Sequence, residues 1–162
     1  MDMKKVFVSL AFFAITLAAL SSERNYAVQG TVAGRVQQVG FRAFLLKLAI
    51  RYNLSGFAEN LRNGSVIFCF QGDKNRVMNA LSQIKNGNPK ARVDSVNTQE
   101  ITPDNTTIFR VKNWTSVSRN FHTPVDLVFR LRTDNSEWSI KKTKKHYKRM
   151  IKSAMRSRAG TR

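Results

Sequence analysis

From residue 26 to residue 111 the spacing of apolar positions changes its period several times, and each change predicts an element. Residues 26–34 (YAVQGTVAG) set Val28 and Val32 among small and polar neighbours, which is strand-like. Residues 41–52 (FRAFLLKLAIRY) carry apolar side chains at Phe41, Phe44, Leu45, Leu48 and Ala49, a helical spacing. Two short apolar-rich runs, 54–61 and 65–70, flank Asn63-Gly64, a dipeptide that favours a tight hairpin because both residues tolerate positive φ. Asp73 is placed to cap a second helix that reaches Ile84, with Val77, Leu81 and Ile84 on one face, and residues 87–89 end it. Residues 91–98, alternating through Val93 and Val96, and residues 106–111 predict two more strands.

The predicted order is strand, helix, strand, strand, helix, strand, strand. It defines an α+β chain of the ferredoxin-like split βαβ type, an antiparallel sheet of four to five strands with two helices. That fold carries RNA binders, metal carriers, regulatory domains and enzymes, so order alone assigns no chemistry.

Charge narrows the partners. Among 162 residues, 28 Lys and Arg against 10 Asp and Glu give a net charge of +18, which favours anionic partners of some kind. The excess lies at the tail, where the last twenty-two residues hold ten cations and no acid. At the other end, MDMKK followed by the apolar-rich stretch 6–20, with Ala19 and Ser21 before Ser22, predicts a cleaved signal peptide over residues 1–21 and an exported protein. Fifteen residues are short of the ~20 that cross a bilayer as a helix; an uncleaved membrane anchor is the alternative. Cys69, the one cysteine, lies in an apolar run and is expected to be a buried core thiol.

A turn between strand and helix holds the candidate chemistry. Residues 35–42, RVQQVGFR, carry two arginines and no acid where backbone amides lack intrahelical acceptors. Those amides and the helix dipole make an anion site. Arg42, in the first turn, adds a planar fork of donors that lysine cannot reproduce. Taken singly, Arg42 reads first as a helix-face cation, Arg35 as a solvated loop cation and Asn60 as a turn-forming or strand-ending residue. Glu59 is expected to be a surface charge. With His122 and His146 beyond the domain, and no paired carboxylates or metal-ligand spacing within it, a conventional acid–base or metal hydrolase is disfavoured.

These motifs together resemble the acylphosphatase family. GRVQQVGFR at residues 34–42 is similar to that family's phosphate loop, and GFAENLRNGSV at 56–66, with Asn60 and Gly64, to its strand and hairpin. Gly72, Val77 and Leu81, then NPKARVDSV at 88–96, continue the match in order, so that the resemblance covers roughly 90 residues, from 28 to 111 and their flanks. It implies hydrolysis of the carboxyl–phosphate bond of a small acyl phosphate, without cofactor or metal. It implies a phosphate-binding loop of Arg35, Val36, Gln37, Gln38, Val39, Gly40 and Phe41, with Arg42 on the phosphate and Asn60 orienting water. The family usually has glycine where this chain has Gln38; if that position is left-handed, glutamine costs roughly 1–2 kcal/mol.

With the signal peptide (1–21) read from its own residues, the resemblance sets apart a domain (23–114) and a basic extension (115–162). In the extension, residues 123–132 predict a strand, and residues 135–158 a basic helix capped near Asn135 or Ser136 with Ile140, Tyr147, Ile151 and Ala154 as an apolar stripe. A solvated, partly disordered tail, a helix drawn to an anionic membrane or polymer, and a nucleic-acid grip are the three readings of it, the last disfavoured by export. The chain is expected to be a monomer. A noncatalytic exported ferredoxin-like module that binds anionic surfaces or nucleic acid is the alternative to the enzyme.

Overall fold

Alternation builds β1 (Tyr26–Arg35): Val28, Gly30 and Val32 are buried, while Gln29, Thr31 and Ala33 are only half-buried. The computed structural model describes residues 26–159, so the predicted signal peptide lies outside the described residues. Helix α1 (Phe41–Tyr52) follows, then the hairpin β2 (Ser55–Asn60) and β3 (Val66–Gly72). Helix α2 (Lys74–Ile84) starts at Asp73, whose side chain accepts from the Arg76 amide at 3.2 Å, as the sequence predicts. Strands β4 (Arg92–Ile101), β5 (Ile108–Ser116) and β6 (Phe121–Arg130) and helix α3 (Ile140–Ala159) complete the chain.

The six strands form one sheet in the order β4-β1-β3-β2-β5-β6, and the ferredoxin-like core of the expectation is its first four. The purely antiparallel expectation is corrected at one pair, β2 and β5, which run parallel with Ala58 opposite Val111. The path of the chain explains it. Strand β4 ends beside the start of β1, with Ile101 opposite Ala27. Residues 102–107 then pass the end of β3, where the Asp104 amide donates to Gln71 Oε1 at 2.9 Å. The chain thus reaches the outer side of β2 at the end where β2 itself begins, and can only run alongside it. The C-terminal ends of β1, β2 and β5 therefore meet at the opposite end of the sheet.

The extension belongs to the same core. β6 continues the sheet beside β5, and Leu127, Phe129, Tyr147 and Ile151 are buried with Phe68, Phe70 and Phe109 in one apolar cluster. The basic tail is thus a packed helix, against α1 and β6, rather than a solvated, partly disordered segment. Its cap is Ser139, whose Oγ accepts from the Lys142 amide at 3.2 Å, not Asn135 or Ser136. Asn135 is occupied elsewhere, accepting from Asn53 Nδ2 at 3.4 Å. In the predicted stripe Tyr147 and Ile151 are buried, but Ile140 is exposed and Thr143, one turn before Tyr147, takes its place.

Helix α1 is enclosed by the sheet, α2 and α3. Leu46 and Ile50, outside the predicted stripe, are fully buried because of this second cover. The segment before α3 also satisfies the last carbonyls of α1: Arg132 Nη1 donates to Ile50 O at 2.6 Å and the Trp138 amide to Arg51 O at 2.9 Å. A cation at that end suits the helix dipole. Cys69 is buried as expected, and burial pushes its thiol up to about 11, so it stays protonated and unreactive at neutral pH.

Candidate active site

The turn from β1 into α1 is held from below and from both sides. Val36 and Phe41, each 1% exposed, anchor it in the core. Gln37 Nε2 donates to Leu61 O at 2.7 Å and Ser65 O at 2.8 Å, pinning the turn to the β2–β3 hairpin. On the other side Asn88 Nδ2 donates to Val39 O at 3.1 Å. Helix α1 has no side-chain cap, and its first backbone bond runs from the Phe44 amide to Gly40 O at 3.0 Å. Among the described residues, the amides of Gln37, Gln38, Val39 and Gly40 find no protein acceptor. Gln38 (φ 61°) and Gly40 (φ 77°) are left-handed, and such alternation turns successive amides towards one concavity.

Six of the seven residues expected in the phosphate loop, Val36 to Phe41, line one cleft of about 1160 Å³. Arg35 does not. It is exposed at the end of β1, opposite Arg92.

Arg42 enters the same cleft from the first turn of α1. Its Nη1 donates to the carbonyls of Lys112 and, at 3.1 Å, Asn113. All of its protein hydrogen bonds among the described residues pass through that nitrogen, leaving Nε and Nη2 without a protein acceptor there. The two carbonyls are presented by a bulge in β5, where the pairing with β6 shifts between Val111 and Trp114 and Asn113 takes φ 51°. Asp126 holds the bulge by accepting from the Asn113 amide at 3.0 Å, a bond that keeps its carboxyl below the usual range. Burial draws the Arg42 guanidinium below its ordinary value, and the nearby Glu59 opposes this. Glu59 itself is corrected from a surface charge to a cleft residue, paired at 2.7 Å with Lys112 Nζ and 32% exposed.

Asn60 ends β2 on the face of Ala58, which is fully buried, so the strand's alternation carries its side chain towards the helices. The parallel register that sets Ala58 beside Val111 brings Asn60 level with the β5 bulge that holds Arg42. Its Oδ1 is buried without a hydrogen-bond partner among the described residues. A buried acceptor left unpaired costs about 1–3 kcal/mol. The structure therefore brings together the loop amides, Arg42 and Asn60. Sequence reasoning missed Gln37 as a strut, the Asn113 bulge, and the wall that α3 adds through Ile140, Thr143, Lys144 and Tyr147. An asparagine inside an otherwise β-patterned run was the only local signal of the bulge.

The left-handed backbone at Gln38 makes the conditional cost concrete. Glycine has no Cβ penalty there. Gln38→Gly is expected to tighten competitive inhibition by inorganic phosphate or raise kcat/KM, by at most about 5-fold to 30-fold for relief of roughly 1–2 kcal/mol. Steady-state kinetics with phosphate as inhibitor measures it; a loss in both quantities with the fold intact would make the glutamine amide a ligand contact.

The chain thus combines an α+β fold with a strand-to-helix turn of unpaired amides, an arginine in the first helical turn and an orphaned carboxamide, all lining one cleft. A family model for acylphosphatases matches residues 28–111, just over half of the chain. The chain is 44% identical over 66 residues to an acylphosphatase from Geotalea uraniireducens, 41% of this chain and 72% of that one. It is 35% identical over 86 residues to an acylphosphatase from Thermotoga maritima, covering 53% and 96% respectively. Its structure is similar to that of an acylphosphatase from Coxiella burnetii, with a TM-score of 0.53, 32% identity, and 56% and 95% of the two chains covered. This chain belongs to the acylphosphatase family. The matched region ends within β5, before β6 and α3.

Proposed function

We propose that this protein hydrolyses acyl phosphates to a carboxylate and inorganic phosphate. The observation that carries the reading is the buried, unpartnered Asn60 Oδ1 in the cleft shared by the unsatisfied loop amides and Arg42. Phosphate oxygens bind the amides of the Gln37–Gly40 turn and the free side of the Arg42 fork. Asn60 Oδ1 accepts a hydrogen bond from a water and aims its lone pair at phosphorus; a neutral amide does this without repelling the anion.

The reaction asks little else of the protein. Water attacks phosphorus, the P–O bond to the carboxyl group breaks, and its electrons leave on a weakly basic carboxylate that needs no general acid. The water's proton passes to a phosphate oxygen. Glu59, the carboxylate among the described cleft residues, is committed to Lys112 and is not required as a base. Placement and charge stabilisation supply the rate.

The test is release of benzoate and phosphate from benzoyl phosphate by the purified protein in the presence of a chelator. Turnover well above the spontaneous rate is expected. Absence of turnover by folded protein that still binds phosphate would make the chain an anion-binding module.

A further inference from the structure

The cleft extends well beyond the phosphate loop. Along α1 it continues past Phe44 to Lys47, and its far wall is α3, which the matched family region does not include. Lys47 is half-buried, its Nζ 4.8 Å from the centre of the Tyr147 ring. Lys144 on α3 and Arg119, in the short 3-10 turn between β5 and β6, line the same cavity. These three cations, Lys47 half-buried and Lys144 and Arg119 exposed, line the cleft together; among its described lining residues the one carboxylate is Glu59, which is paired with Lys112. Lys47 is held below its ordinary value by burial, then by the charges of Lys144 and Arg119.

A second observation points into the same space. Thr143 is 4% exposed, lines the cleft, and its Oγ1 is buried with no hydrogen-bond partner among the described residues. A helical threonine normally returns its hydroxyl to a carbonyl one turn back. Here the hydroxyl makes no such bond among the described residues, on a residue that lines the same cleft as the three cations.

We propose that the C-terminal extension makes the enzyme selective for acyl phosphates whose acyl group carries a second, terminal anion, held by Lys47, Lys144 and Arg119 and by the Thr143 hydroxyl. Distance sets the size of the acyl group. Lys47 lies seven residues beyond Gly40 on a helix rising 1.5 Å per residue, about 10 Å from the phosphate cradle. A carboxylate across a benzene ring from an acyl phosphate spans a comparable length. The inference rests on the proposed acyl phosphate site for the position of the phosphate, but not on turnover.

Binding therefore tests it, by titration calorimetry at fixed ionic strength with two non-hydrolysable probes, benzoylphosphonate and 4-carboxybenzoylphosphonate. The protein is expected to bind the carboxylated probe at least about 10-fold more tightly, as charge-assisted hydrogen bonds allow. The double substitution Lys144→Gln/Arg119→Gln should bring the affinity ratio close to one. Thr143→Val, which replaces the orphaned hydroxyl by a methyl group, should lower the ratio several-fold by removing one donor. A charge-matched control, Lys141→Gln/Lys145→Gln on α3 but outside the cleft, should keep it. Equal binding of the two probes by the wild-type chain, failure of the carboxylated probe to bind, or equal loss in the control overturns the proposal. Because benzoyl phosphate turnover is measured separately, inactivity with an intact preference would sink the hydrolytic reading and leave this one standing.

Discussion

Arg42→Lys is expected to lower kcat/KM for benzoyl phosphate by at least about 10²-fold, the scale seen when one preorganised oxyanion donor is removed. Arg42 divides its donors: Nη1 is spent on the Lys112 and Asn113 carbonyls, which fix the plane of the guanidinium, and the remaining edge faces the cleft. A lysine concentrates its three protons on one nitrogen at the end of a flexible stem. It can reach the bulge carbonyls or the phosphate, not both in a fixed geometry. Circular dichroism and the thermal midpoint should confirm that the variant is folded; near-normal turnover would remove Arg42 from the site.

Asn60→Ala should reduce kcat by about 10²-fold or more while leaving competitive inhibition by phosphate nearly unchanged, because the amide positions water rather than the anion. The same substitution is expected not to destabilise the free protein, and to raise its thermal midpoint if anything, since it removes a buried acceptor that has no partner. A residue kept at a cost to stability and needed for turnover is the signature of a functional group. Parallel loss of phosphate affinity and of stability would make Asn60 a structural residue instead.

How far each part of the site was legible depends on the range of the forces that build it. The amide cradle could be read from RVQQVGFR because a strand-to-helix turn leaves amides unpaired through geometry within a few residues. The alternation of Ala58 and Asn60 on one face of β2 is equally local. Glu59 was misjudged because its partner, Lys112, is brought beside it by the pairing of β2 with β5, two strands remote in sequence. Arg35 was drawn into the loop by its neighbours, yet its pairing opposite Arg92 keeps it in β1 and outside the cleft.

The sequence by itself determined the helices α1 and α2, the Asp73 cap, the hairpin at Asn63-Gly64 and the identities of Arg42 and Asn60. Periodicity, capping and turn chemistry are properties of contiguous residues, settled before the chain closes on itself. Only the tertiary structure decided that β5 runs parallel to β2, that a bulge at Asn113 anchors Arg42 from some seventy residues away, and that α3 docks on α1. Those outcomes depend on where a connection emerges, which sheet edge remains open and which apolar surface still lacks cover. Backbone carbonyls such as Lys112 O leave no trace in residue identity, so an arginine's acceptors cannot be read from the letters. The burial of Leu46 and Ile50 records the same fact from the other side, since α1 is covered by α2 and α3 as well as by the sheet.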